Sequence, residues 1–222
     1  LRLVSLFDAD LIFDDKRTGV VLRAPGSQLV LSRDSGGLGI SARINIDDGV
    51  RRTQLELAGG YNAAEKALDI ETRLGGLVPA EFAGLAPVLA PLAQVKLPLS
   101  GKVLARINID GAIGAIAVDI EAAPGMLDAP SYFDAPVAVR AAGLKGQLAA
   151  GGKSFVLEAF TADFNGPRIA LSGKGARADG RVSTVLEAGA RNVSTADLRR
   201  LWPKGVADNG RNWVLANIER GA

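Results

Sequence analysis

Along most of the chain apolar and polar residues alternate one by one. Residues 38–47 are the clearest case: Leu38, Ile40, Ala42, Ile44 and Ile46 fall on one parity, Ser41, Arg43, Asn45 and Asp47 on the other. A period of two marks a strand with one face against apolar surroundings and one in water. The same pattern predicts strands at residues 2–14, 51–59, 66–75, 97–110, 113–122, 153–164, 168–176 and 181–192. Shorter strands are expected at 20–24 and 28–33, either side of Pro25-Gly26. In residues 2–14, Leu3, Ser5, Phe7, Ala9, Leu11 and Phe13 are expected to face away from Asp8, Asp10 and Asp14. A strand at 137–148 changes parity near Ala142-Gly143, as a bulge would make it. Asp48-Gly49, Asp110-Gly111, Asn165-Gly166 and Asp179-Gly180 are hairpin signals between strands.

Two stretches break the alternation. Residues 77–98 (LVPAEFAGLAPVLAPLAQVKLP) space Phe82, Leu85, Leu89 and Leu92 by three and four, which puts them on one helical face. Pro79 suits a first helical turn, whereas Pro87 and Pro91 divide the stretch into two short or kinked pieces. Residues 193–203 (VSTADLRRLWP) align with residues 77–87 without a gap, at an offset of 116 positions (193 − 77). Upstream, Leu55, Gly59, Ile70 and Glu71 meet Leu171, Gly175, Leu186 and Glu187 at the same offset. This predicts a repeated unit of strands closed by a helix. Ser194 is the expected N-cap of a helix at 195–201; Asp208 or Asn209 would cap a second at 211–220, stopped by Gly221.

Composition narrows the function classes. The chain has 222 residues, no Cys and no His. Thiol nucleophiles, disulfides, Ser-His-Asp triads and nearly all zinc chemistry are therefore outside its reach. Lys and Arg number 26 against 24 Asp and Glu, in runs of two at most, so no nucleic-acid partner is expected. Apolar residues make up 48% but aromatics only 5%, so the apolar face is a thin one of Ala, Leu, Val and Ile. No run of about 20 uncharged apolar residues occurs. A strand pattern that begins at the first residues, with neither Met nor signal peptide, is expected of a piece of a longer chain. Asp8, Asp10, Asp14 and Asp15 are a candidate cation cluster, but a solvated strand face explains them more simply. Gly36-Gly37-Leu38-Gly39 and Ser172-Gly173-Lys174-Gly175 lack the spacing and the helix of a phosphate loop and are read as turn and strand. No enzyme activity and no cofactor are expected.

Residues 201–221 (LWPKGVADNGRNWVLANIERG) resemble a segment of the AsmA-like superfamily of bacterial envelope proteins, in its YhdP-type branch. The resemblance rests on Trp202-Pro203, the Gly205-Val206-Ala207 turn, Asn209 with Arg211, and Trp213 leading into a helix. The Pro-rich helix, Leu97-Pro98-Leu99-Ser100-Gly101 and the strand ending at Asp110-Gly111 are similar to that family too. About 50 residues match in letters; the family's N-terminal membrane helix and most of its length have no counterpart here. The resemblance implies a bridge-like lipid transport protein with a lengthwise apolar groove, in the periplasm and anchored to the inner membrane through a segment not present here. It implies phospholipid acyl chains as cargo, further β-units of the same chain at both ends, and a role in outer-membrane lipid homeostasis.

Both lines converge on one expectation: a mainly β protein, an elongated, curled antiparallel sheet forming a repeating groove, with short helices between repeats and at the C-terminus. Residues 1–96 are the first unit with its Pro-rich helix and residues 97–222 the second with its helical pair, together one continuous groove segment. The expected lining is Ile40, Ile44, Ile46, Leu55, Leu57, Leu68, Ile70, Leu99, Val103, Ile107, Ile109, Ile116, Val118 and Ile120. The competing expectation is a non-catalytic β-rich scaffold or interaction module in envelope assembly, its apolar face closed into an ordinary core.

Overall fold

The structure is a computed structural model that describes residues 2–16, 20–34, 37–47, 52–85, 87–178 and 180–217. The first five strands are β1 (Leu3–Asp15), β2 (Val20–Asp34), β3 (Gly37–Asp47), β4 (Arg52–Asn62) and β5 (Ala67–Leu77). There follow β6 (Val95–Lys96), β7 (Leu99–Asn108), β8 (Ile113–Ala122), β9 (Gly125–Leu127) and β10 (Val137–Val139). The last are β11 (Ala141–Leu148), β12 (Ser154–Asp163), β13 (Arg168–Ala178) and β14 (Arg181–Arg191), then the helices α1 (Thr195–Leu201) and α2 (Asp208–Asn217). Eleven strands form one antiparallel sheet in the order β1-β2-β3-β4-β5-β7-β8-β11-β12-β13-β14. β1 and β14 are its edges and do not pair, so the sheet is long and not closed into a barrel. At about 4.8 Å per strand it extends roughly 50 Å. β5 pairs directly with β7, so hydrogen bonding runs unbroken past residue 96.

Several local expectations change. Residues 20–34 are one strand, because the chain passes Pro25-Gly26 in a bulge with Gly26 at φ 61°. The bulge is held by Ser27, which is fully buried: its hydroxyl donates to the Ala24 carbonyl (2.9 Å) and accepts from the Asn45 N–H (3.1 Å). β1 bulges opposite it, with Asp8 at φ 51°, so its parity flips midway. Val4 and Leu6, not Leu3 and Ser5, share a face with Ala9 and Leu11, as their partners Leu31, Leu29, Ser27 and Ala24 require. Residues 137–148 are two strands: the chain leaves a small sheet at Val139 and enters the long one at Ala141. The Pro-rich stretch forms two short 3-10 helices, Pro79–Phe82 and Pro87–Gln94, as its prolines require. α2 begins at Asp208, and Gly221 lies outside the described residues, as does the Asp48-Gly49 turn.

The long connections leave from one rim of the sheet. Leu77, Leu99, Ala122, Ala142, Ala162, Ile169 and Ala190 are successive partners along that rim, where β5, β8 and β14 depart. There β6, β9 and β10 form a three-stranded sheet which, with Leu201 of α1, caps the apolar side. Leu97, Val137, Val139, Ala162, Phe164 and Leu201 are its buried core, packed on Leu99, Ala122, Ala142, Phe160 and Ile169 of the long sheet. The described turns at the opposite rim, residues 63–66, 109–112 and 149–153, are short. Both helical segments of the proposed repeat follow the second strand of a hairpin and leave from the same rim. The hairpins are two residues out of step: Gly59 faces Ile70, whereas Gly175 faces Thr184 and not Leu186.

Candidate functional site: an open apolar face

Residues opposite one another in neighbouring strands share a face, so the register builds rows across the sheet. One row runs Leu6, Leu29, Ala42, Leu57, Thr72, Val103, Val118, Gly146, Leu157, Gly173, Leu186. The next runs Val4, Leu31, Ile40, Gly59, Ile70, Ala105, Ile116, Leu148, Phe155, Gly175, Thr184. A third starts at β3 with Ile44, Leu55, Leu74, Gly101, Ile120, Leu144, Phe160, Leu171 and Ala188. No charged residue interrupts any of the three. Glycines in the rows are overlaid by neighbours: the Phe155 ring lies over Gly175 and the Leu186 side chain over Gly173. Outside the cap, no described residue forms a second layer over this face. Leu6, Leu144, Leu148 and Leu186 remain 43%, 39%, 41% and 56% exposed, which a packed sandwich would not leave.

Of the expected lining residues, Ile40, Ile44, Leu55, Leu57, Leu68, Ile70, Leu99, Val103, Ile107, Ile116, Val118 and Ile120 are half-buried on this face. Leu99 lies under the cap. Two are elsewhere. Ile46 is on this face too but buried, next in sequence to Asn45, which bonds the β2 bulge. Ile109 is 71% exposed in the β7–β8 turn, which the Gly111 N–H to Asn108 carbonyl bond closes before the strand parity reaches it. Sequence alternation missed Phe155, Leu157, Phe160 and Leu171, which carry the rows into β12 and β13. A bulge at Glu158-Ala159 shifts the period of two within β12, and in β13 Leu171 shares its face with Gly173 and Gly175, so no apolar alternation marks it.

The reverse face is polar and cross-linked by charge. Arg43, Glu56, Arg73, Lys102, Asp119 and Lys145 are successive partners across six strands. Arg106 on β7 grips Asp69 on β5 through two bonds of 2.7 and 2.9 Å and reaches Glu65 at 3.1 Å. The hydrogen bond from Arg106 holds the Asp69 carboxyl below its ordinary range. Depressions of about 700 and 620 Å³ lie on this side, broad and open. The first is floored by Gly143, Ala170 and Gly189, the second by Ala58, Ala115 and Ala117. The first is also lined by Glu121, Asp163, Arg168 and Arg191, with Arg168 paired to Asp163 at 3.1 Å.

Among the described residues no group of three or more acids is placed to hold a metal ion, and no helix is long and apolar enough to cross a membrane. No protein-family model matches this chain, and no curated protein or solved structure matches it.

Proposed function

We propose that this chain is a segment of a bridge-like lipid transport protein of the bacterial envelope. In this reading it carries phospholipid acyl chains along its apolar face, in the periplasm and as part of an inner-membrane-anchored protein. The observation that supports the reading is the set of uncharged rows running from strand to strand across the sheet, half-buried and without a covering layer. A contiguous apolar surface of this extent calls for an occupant. An acyl chain lying along the rows gains roughly 0.8 kcal/mol per CH₂. A bilayer offers about the same, so movement along uniform rows meets neither a deep well nor a high barrier. Charged head groups stay in water at the open edge. The capped rim forms one wall of the conduit, and no bond is made or broken.

The cap favours one other reading, because between β7 and β13 it buries the same face as an ordinary core does. In that reading the chain is a β-rich scaffold. Lipid extraction and native mass spectrometry of the purified chain separate the two. The transport reading expects co-purifying phospholipid, lost in Ile107→Asp while the thermal unfolding transition persists, because an unpaired carboxylate on an apolar path is costly to bury. A lipid-free wild type, or an Ile107→Asp variant that unfolds, contradicts it.

A further inference from the structure

The apolar face ends differently at its two rims. One lies under the cap. At the other, where the described turns are short, a further row follows that of Ile40 and Ile70: Arg33, Leu38, Tyr61, Leu68, Ile107 and Ile113 are successive partners from β2 to β8. Arg33 has the parity of Leu29 and Leu31, so it belongs to the apolar side. In β13, Arg177 has the parity of Gly173 and Gly175 and stands at the same rim. Each arginine has a second cation across the ladder. The Arg33 N–H donates to the Arg2 carbonyl (2.9 Å), and the Arg177 N–H donates to the Lys153 carbonyl (2.7 Å). All four side chains are exposed, and none has a carboxylate partner among the described residues. Arg106 is the contrast. It is next to Ile107 in β7 but on the reverse face, and there Asp69 and Glu65 hold it. Like charges across neighbouring strands destabilise a ladder, so each cation pair costs stability until an anion joins it.

We propose that Arg2 with Arg33, and Lys153 with Arg177, are two stations for the phosphate of a phospholipid head group at the open edge of the apolar face. The proposal rests on the reading that acyl chains lie on the rows, and it adds what holds the other end of the molecule. Arginine suits such a border. Its stem covers apolar surface while the guanidinium stays in water, and the guanidinium presents paired N–H donors to two phosphate oxygens. Tyr61, half-buried on the same row, likewise combines an apolar ring with a hydroxyl. β2 and β13 are eight strands apart in the sheet, which sets the stations about 38 Å from each other. From Leu38 to Ile113 the row is uncharged, so a head group is held at intervals and not continuously. A lipid without a phosphate is held at neither station.

Calorimetric titration of the chain tests this, with dihexanoyl phosphatidylglycerol below its micelle-forming concentration, dihexanoylglycerol and inorganic phosphate as probes. Unfolding curves control for folding. The phospholipid should bind more tightly than the neutral lipid, and inorganic phosphate most weakly. Arg33→Gln together with Arg177→Gln should weaken phospholipid binding by about tenfold and leave the neutral lipid unchanged. Arg33→Lys with Arg177→Lys should weaken it less. Lys102→Gln with Lys145→Gln removes as many charges from the reverse face and should change neither lipid. Equal binding of both lipids by the wild type, or equal losses from the two double glutamine variants, overturns the stations and leaves the acyl-chain reading standing. Inorganic phosphate bound as tightly as the phospholipid marks an ion site only and overturns them too. Binding of neither lipid removes the acyl-chain reading, and the stations with it.

Discussion

Asp197 serves α1 twice over. Its backbone N–H donates to the Ser194 hydroxyl oxygen (3.2 Å), while its carboxylate accepts from the Ser194 backbone N–H (3.1 Å), which closes a capping box. The same carboxylate pairs with Arg200 one turn on (3.2 Å). The Ser194 hydroxyl, which donates to the Asp197 carboxylate (2.6 Å), is the largest cause that holds its pKa below the ordinary value; burial opposes it, and the backbone bond and Arg200 add to it. A carboxyl depressed in the folded state contributes stability that is present above its unfolded pKa and lost as pH falls through the folded one. The contribution of α1 should therefore be complete above about pH 4 and decline below it. Asp197→Ala should cost about 1 kcal/mol at neutral pH, read by denaturant unfolding, and the difference from wild type should shrink in acid. A cap of this kind is legible in sequence because all its parts lie within four residues. Asn45 is the opposite case. Its side chain donates to the Gly26 carbonyl (2.7 Å), a bond that exists only because β2 bulges there. Alternation marked Asn45 only as polar, since a partner 19 residues away leaves no local signal.

At the scale of elements, the strands that were easy to read are those with ten or so residues and one wet face, such as β3, β5 and β7. Three-residue β9 and β10 are too short to display a period. Their place in a second sheet follows from Leu97, Val137 and Leu201 meeting in one core, which no local pattern reports. Fusing β10 with β11 had the same origin: the apolar run continues across Arg140 while the chain changes sheets. Between β7 and β8 the fit is close enough to test directly. Gly101 has φ +135°, and a Cβ there would meet the Asp119 carbonyl oxygen at 2.2 Å and the Ile120 Cα at 2.9 Å. Both obstacles are backbone, so neither can rotate away. Gly101→Ala should cost about 2 kcal/mol or more. Hydrogen exchange should show faster opening of β7 and β8 than of β3 and β4. A change below about 0.5 kcal/mol would mean the ladder yields there.

Over the whole molecule the decisive property is a sheet with one charged side and one oily side, long in the direction of its hydrogen bonds and uncovered over much of its apolar rows. The sequence carried that asymmetry strand by strand, because each clean strand repeats the same parity. How the strands line up was not carried there, and register is what turns separate apolar stripes into continuous rows. Nor did the pattern reveal that inserted segments cap only one rim, since that depends on which strands leave from it. The central claim is that the open face, and not the charged one, takes acyl chains. A photo-crosslinking residue at Val103, Val118 or Leu148, with Lys102, Asp119 or Lys145 as counterparts on the other side, tests it in the presence of phospholipid vesicles. The account predicts phospholipid adducts at the first three positions and none above background at the other three. Equal labelling of both faces, or no adduct at Val103, Val118 and Leu148, would contradict it.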